Sequence, residues 1–268
     1  MADPVREVLD RLTPTIQAAA GSGELSRVAD ELFDFAAVLG RELRLRRALS
    51  DVSLPPEAKR GLLGALLAGT SASTRALLDS LVTGPQRFRP PILVDAVEQL
   101  AAVALFTATE TDGTLDDVED QLFRFARLVE REPALRAALT DPGLPDDRKV
   151  ALLDELLASR GEPATLRLVR SAVLNPRGRA IERVLEDLAR QAAAHRGRVI
   201  GEVISATPID DERLERMAAA LEGIQGRPVR LQVIVDPSII GGVIVRIGDK
   251  IIDGSVRRQL ERARIQLA

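Results

Sequence analysis

Apolar positions in the first two-thirds of the chain recur at helical spacing. Leu25, Val28, Leu32, Phe35 and Leu39 follow 3-4-3-4 steps, which places them on one stripe of a helix. Leu115, Val118, Leu122, Phe125 and Val129 repeat the same steps. A short helix carrying Leu45 and Leu49, or Leu135 and Leu139, follows each stripe. Next come the breakers Leu54-Pro55-Pro56 and Leu144-Pro145, suited to a helix's first turn, where a missing N–H costs nothing. Paired leucines then predict a further helix: Leu62, Leu63, Leu66 and Leu67, or Leu152, Leu153, Leu156 and Leu157. Another helix holds Leu77, Leu78 and Leu81, or Leu166, Leu168 and Val169. After Gly84-Pro85 or Asn175-Pro176, a longer helix runs to about Ala108 or about His195. Stripes this wide must be covered by neighbouring helices, so each set reads as an all-α bundle.

The two sets are copies. Residues 23–68 align without gaps on 113–158 at a constant offset of 90, with 23 identities in 46 positions. Chance matching in such a composition gives about a tenth of positions, so the similarity is an internal duplication.

After Arg196-Gly197-Arg198 the pattern changes. RVIGEVISATP alternates as a strand does. A helix from about Asp211 follows, with Leu214, Met217, Ala218, Leu221 and Ile224 on one face and Asp210 as its N-cap. PVRLQVIVD is a strand with Val229, Leu231, Val233 and Val235 facing one way. VIVRI and KII form a hairpin turning at Gly248-Asp249. A last helix carries Val256, Leu260, Ala263 and Leu267, capped by Asp253 or Ser255, giving β–α–β–β–α. The expected fold is mostly α: two tandem helical-bundle modules, residues 1–94 and 95–197, followed by a small α/β domain, residues 198–268.

Composition narrows the chemistry. The chain of 268 residues is 46% hydrophobic and 29% charged, with formal net charge -3. That balance, and the lack of Trp and Tyr, argues against a nucleic-acid binder. No cysteine is present, which removes disulfides, thiolate catalysis and Cys-ligated zinc. The opening MADPVREVLDR is charged from Asp3 onward, unlike a secretory signal. The longest uninterrupted apolar run is Leu100 to Phe106, against the roughly 20 residues of a membrane span. The protein is therefore expected to be soluble, without membrane insertion.

Three features invite a chemical reading. Gly241-Gly242 lies in the glycine-rich stretch 236–255, but it leads into a strand and no Gly-Lys-Ser/Thr follows, so it is read as a turn and not a phosphate loop. His195, the only histidine, ends a helix and by itself builds neither a metal site nor a triad. Asp116, Asp117, Glu119 and Asp120 open a helix, where carboxylates are electrostatically favoured; the run Arg41, Arg44, Arg46 and Arg47 is a solvated face. No catalytic, cofactor or metal site is expected.

Two segments carry a family resemblance: VISATPIDDERLERMAAAL (203–221) and LQVIVDPSIIGGVIVRIGDKIIDGSVRRQLERARIQL (231–267). They resemble the delta subunit of F-type ATP synthases, counterpart of the mitochondrial oligomycin-sensitivity-conferring protein. The second segment follows the family's C-terminal signature nearly end to end, including Asp236, Gly241, Gly242, Gly248, Asp253 and Gly254. Residues 100–129 and 135–157 resemble the family's helical region, so about 95–268 resemble an ordinary delta subunit. The preceding copy is a lengthening associated with actinobacterial members.

The resemblance implies a non-catalytic peripheral-stalk subunit on the cytoplasmic face of the cell membrane. The helical part would grip N-terminal helices of alpha subunits, and the C-terminal part would bind the b subunits, supporting proton-driven ATP synthesis. It also implies an alpha-binding groove between the helix bearing Ala101, Ala104, Leu105 and Ala108 and the helix bearing Leu166, Val169 and Val173. The family often has an aromatic residue where Ala101 stands. The extra copy is expected to offer a second helix-binding surface. Two other readings are a helical adaptor of another assembly, which has no reason to carry the 231–267 signature, and a nucleotide enzyme on Gly241-Gly242.

Overall fold

The computed structural model describes residues 4–18, 22–157, 161–195, 199–225, 229–239, 241–247, 250–254 and 258. It divides into two compact units, residues 1–188 and 189–268.

The first unit is helical. It contains α1 (Pro4–Ala18), α2 (Ser22–Arg41), α3 (Leu43–Ser50), α4 (Pro56–Leu66), α5 (Ala72–Thr83), α6 (Pro90–Asp112), α7 (Leu115–Arg131), α8 (Pro133–Thr140), α9 (Asp146–Leu157), α10 (Pro163–Leu174) and the start of α11 (Ile181–His195). Pro56, Pro90, Pro133 and Pro163 stand in the first turns of their helices, where proline is tolerated. The predicted stripes are the core: Leu25, Val28, Leu32, Phe35 and Leu39 are buried on α2, and Leu115, Val118, Leu122, Phe125 and Val129 on α7.

The duplication is visible helix by helix. α3 and α8 share their bounds at an offset of 90, and α5 and α10 at an offset of 91. Lys59 and Lys149 are both buried at the same repeat position, and Lys59 Nζ donates to the Val82 carbonyl at 3.2 Å.

α6 is the exception to a clean tandem arrangement. It closes the first set of helices, packing on α1 and α2, and opens the second, packing on α7 and α10. Residues 94 and 95, where the repeat suggested a boundary, lie inside it, and the first compact unit runs through both modules. Its 23 residues are apolar enough to cross a bilayer by length and composition, but 72% of the apolar window is buried inside the protein. A helix that is apolar nearly all round is a core helix when protein covers it.

The second unit holds a four-stranded sheet of order β2-β1-β3-β4, built from β1 (Val199–Ser205), β2 (Val229–Val235), β3 (Val243–Ile247) and β4 (Lys250–Asp253). β1 and β2 are parallel, joined through α12 (Asp211–Gln225); β1–β3 and β3–β4 are antiparallel. Asp210 caps α12 as expected, its Oδ1 accepting from the Arg213 N–H at 2.8 Å. Val203, Leu221, Val229, Val245 and Ile247 form the core, with Met217 and Leu231 packed against it. Gly201 lets neighbouring strands pack closely, since a Cβ there would meet Leu231 Cδ2 at 2.8 Å and Ile247 Cγ1 at 3.2 Å and those side chains would have to shift. The expected hairpin of VIVRI and KII is present as antiparallel β3–β4, so the unit has one strand more than the β–α–β–β–α order counted. The expected last helix and Gly248 lie outside the described residues, apart from Arg258.

Candidate functional site

On α6, Ala101, Ala104, Leu105 and Ala108 share one face, and each is exposed by 1% or less. Val169 and Val173 on α10 are also buried, and Leu166 is half-buried. The residues implied as walls of a partner groove are therefore covered within the chain. α1, α2, α7 and α10 all pack on α6, and α2, whose stripe includes the small Ala29 and Ala36, lies along it and reaches α10. There Arg167 Nε meets Asp30 Oδ1 at 3.1 Å.

The first module has a cleft of its own. On α1, Arg11, Pro14 and Thr15 are exposed. Between α1, α2 and α5 lies a cleft of about 340 Å³ lined by Thr15, Ile16, Leu25, Val28, Ser73, Ala76 and Leu77. Its floor is apolar: Ile16, Leu25, Val28 and Leu77 are buried core residues. Its rim is polar. Arg11 Nη2 donates to the Ser80 carbonyl at 3.1 Å and to Gln86 Oε1 at 3.0 Å, which ties α1 to the far end of α5. Ser73 Oγ donates to Glu24 Oε1 at 2.6 Å, which ties α5 to α2. Reading the family pattern onto 95–197 alone missed this cleft.

A second cleft of about 200 Å³ lies between α7 and α9, lined by Gln121, Arg124, Phe125, Leu128, Leu156, Leu157 and Gly161. Leu128 and Leu156 are exposed there, as are their repeat counterparts Val38 and Leu66.

A carboxylate fixes the position of α5. The Glu31 side chain on α2 accepts from the Ser71 N–H at 3.0 Å, the Ser71 hydroxyl at 2.7 Å, the Thr74 hydroxyl at 2.6 Å and Arg27 Nε at 2.9 Å. Burial works against its charge, but the hydrogen bonds from Thr74, Ser71 and Arg27 outweigh it and hold its pKa down at about 2. In the second copy Gln121 plays the part uncharged, accepting from the Glu162 N–H at 2.8 Å and the Thr165 hydroxyl at 2.7 Å. Another half-buried carboxylate, Glu98 on α6, pairs with Arg177 and, at 3.2 Å, with Arg179. Burial raises its pKa, and the two arginines oppose that rise.

The signature residues of the second unit shape a turn. Asp236 N–H donates to the Ser205 carbonyl at 2.8 Å, and Asp236 Oδ1 accepts from the Ser238 N–H at 2.9 Å. Gly242 has φ 80°, a left-handed conformation that glycine adopts without strain, and Gly241 has φ 157°, at the margin of the extended range. The pair leads directly into β3, whereas a phosphate-cradling loop delivers its N–H groups at a helix N-terminus. Gly254 N–H donates to the Val243 carbonyl at 2.9 Å, and Asp253 ends β4. His195 is the last residue of α11. Among the described residues, no group of three or more His, Cys, Asp or Glu side chains is placed to hold a metal ion.

Duplicated helical modules with apolar clefts, followed by a small α/β unit, define a mostly α protein of two compact units. Residues 97–267 match the family described as ATP synthase delta (OSCP) subunit. The chain is 43% identical over 263 residues to the ATP synthase subunit delta of Parafrankia sp. (strain EAN1pec), covering 97% of this chain and 94% of that protein. It is 45% identical over 266 residues to the ATP synthase subunit delta of Streptomyces coelicolor, covering 98% and 94%. A chain in the cryo-EM structure of the Toxoplasma gondii mitochondrial ATP synthase hexamer matches 62% of this chain and 94% of its own length, at 23% identity and a TM-score of 0.37. The chain belongs to the ATP synthase delta (OSCP) family. The family segment begins inside α6, while the two bacterial relatives match across nearly the whole chain.

Proposed function

We propose that this chain is the non-catalytic subunit that ties the peripheral stalk of an F-type ATP synthase to its catalytic head and keeps the head from turning with the rotor. The observation that carries this is the match over nearly the full length of two proteins named ATP synthase subunit delta. The role calls for no reacting group. It calls for surfaces that hold two partners and for a body that does not yield between them.

The helical unit supplies such a body. α6 belongs to both modules, so force entering one copy passes to the other through a shared helix and not through a linker. Asp30–Arg167 and Arg41–Asp146 at 3.3 Å add ties between the copies. These exposed pairs contribute little to stability but help fix register. The partners are N-terminal helices of alpha subunits, bound by the helical unit, and b subunits, bound by the C-terminal unit. Recognition on the helical side is helix-in-groove: apolar anchors supply affinity and rim charges supply register. The protein works at the cytoplasmic face of the cell membrane as a peripheral part of the complex, with proton-driven ATP synthesis as the outcome it supports.

Co-purification tests this directly. The full chain, immobilised, retains both a tagged alpha N-terminal peptide and a soluble b fragment at low salt. Failure to retain either one refutes the proposal.

A further inference from the structure

The duplication separates what the fold requires from what it does not. α3 and α8 share their bounds at the offset of 90, and each buries one residue, Leu49 or Leu139. Their exposed surfaces differ. Pro133, Ala134, Ala137 and Pro142 of the second copy are Leu43, Arg44, Arg47 and Val52 in the first, and all eight are exposed. Each of these differences makes the first copy more basic or more apolar at its surface. Over residues 41–52 the first copy carries four arginines against two carboxylates; over 131–142 the second carries two of each. Leu43 and Arg47 are four residues apart on α3, and Arg44 and Arg47 three apart, so the three share one face. Val52 lies just past the end of the helix and is 64% exposed. Two arginines of the run serve the chain itself: Arg41 pairs with Asp146 at 3.3 Å, and Arg46 Nη1 donates to the Gly40 carbonyl at 3.4 Å. Among the described residues, Arg44 and Arg47 have no carboxylate partner. The fold does not need them, since α8 forms with alanine at both places.

We propose that this basic and apolar face of α3 is a docking surface for an acidic amphipathic segment of the catalytic head. It rests on the function given above, in which the helical unit holds the head. Charge selects the occupant. Exposed guanidinium groups without a partner, on a chain of net charge -3, attract carboxylates and bind them in a two-pronged geometry. Leu43 and Val52 flank them with apolar contact that a row of phosphates does not use. The surface stands apart from the two clefts, neither of which is lined by a residue of α3. It also lies before residue 97, where the family match begins, so it belongs to the lengthened part of the chain. α3 packs on α2 and α6, so force on this face enters the helix that both modules share.

The test is binding of catalytic heads, stripped of this subunit, to the immobilised full chain, read by biolayer interferometry at several salt concentrations. Arg44→Ala with Arg47→Ala introduces the residues that α8 carries at these places, so the fold should survive, as far-UV circular dichroism checks. Affinity for the heads should fall about tenfold, and its dependence on salt should flatten. Arg44→Glu with Arg47→Glu should weaken binding further. Leu43→Ala with Val52→Ser should weaken it about threefold and leave the salt dependence unchanged. Arg131→Glu with Arg148→Glu makes the same change of charge at exposed positions of the second copy and should leave binding as in the wild type. Equal head binding by the wild type and by Arg44→Glu with Arg47→Glu overturns the docking surface and leaves the proposed function standing. Equal weakening by the two charge reversals overturns it as well, because overall charge and not this face is then responsible. Loss of the b fragment in place of the heads, or capture by anionic phospholipid vesicles that depends on Arg44 and Arg47, refutes the head as occupant. A wild-type chain that holds no heads refutes the function proposed above, and this surface falls with it.

Discussion

Glu31 sets the position of α5, which walls the cleft between α1, α2 and α5, and replacing it with alanine isolates that role. Four donors converge on its carboxylate: Ser71 N–H, Ser71 Oγ, Thr74 Oγ1 and Arg27 Nε. In Glu31→Ala the exposed Arg27 turns to water, and Ser71 Oγ keeps Thr74 Oγ1 as a partner at 2.9 Å. Two donors are left, the Ser71 N–H and the hydroxyl of Thr74, a fully buried residue. At about 1 to 1.5 kcal/mol for each orphaned group, the loss is about 2 to 3 kcal/mol. Glu31→Gln keeps an acceptor, as Gln121 does in the second copy, and should cost about 1 kcal/mol, because a charged acceptor binds more strongly than a neutral one. The pH dependence has a definite sign. The folded pKa, about 2, lies below the ordinary value of 4.5, so the contribution is complete above about pH 4.5 and is lost as pH falls toward 2. Urea unfolding of the full chain, followed by far-UV circular dichroism at pH 7 and pH 3, reads both effects. A Glu31→Ala protein within about 0.5 kcal/mol of wild type at pH 7 refutes the anchoring role. A gap between wild type and Glu31→Gln that is as wide at pH 3 as at pH 7 refutes the electrostatic account.

Further expectations follow from the same structure. Arg177→Ala removes the partner of Asp95 at 2.7 Å and one of the two arginines facing Glu98, leaving this half-buried carboxylate with Arg179 alone. It should cost about 2 kcal/mol at pH 7 and less at acid pH, where Glu98 takes a proton; a deficit independent of pH argues against the pairing. Gly242→Val forces a β-branched residue to φ 80° and should destabilise the C-terminal unit by about 2 kcal/mol. Hydrogen exchange should then speed up in the strands while protection in the helical unit stays unchanged. Uniform loss of protection, or none, counts against the turn assignment.

Much of the fold was legible because its signals are local. The stripe Leu25 to Leu39 and its copy Leu115 to Val129 fall on the buried faces of α2 and α7, and the offset of 90 holds through α3 and α8. The alternation of RVIGEVIS and the cap at Asp210 placed β1 and α12. What stayed hidden was long-range. An apolar stripe says that a face is covered but not by which neighbour, so the pattern on α6 could not reveal that one helix serves both modules. For the same reason Ala101, Ala104, Leu105 and Ala108 read equally well as a partner groove or as internal core, and only their burial in the folded chain adds to the sequence pattern.

The central claim is that this chain joins head to stalk. The most direct measurement is retention of ATPase activity on a resin carrying the soluble b fragment, using catalytic heads stripped of this subunit. Adding the full chain should retain the heads in proportion to the chain added, and omitting it should release them. Equal retention with and without the chain, or none in either case, contradicts the account.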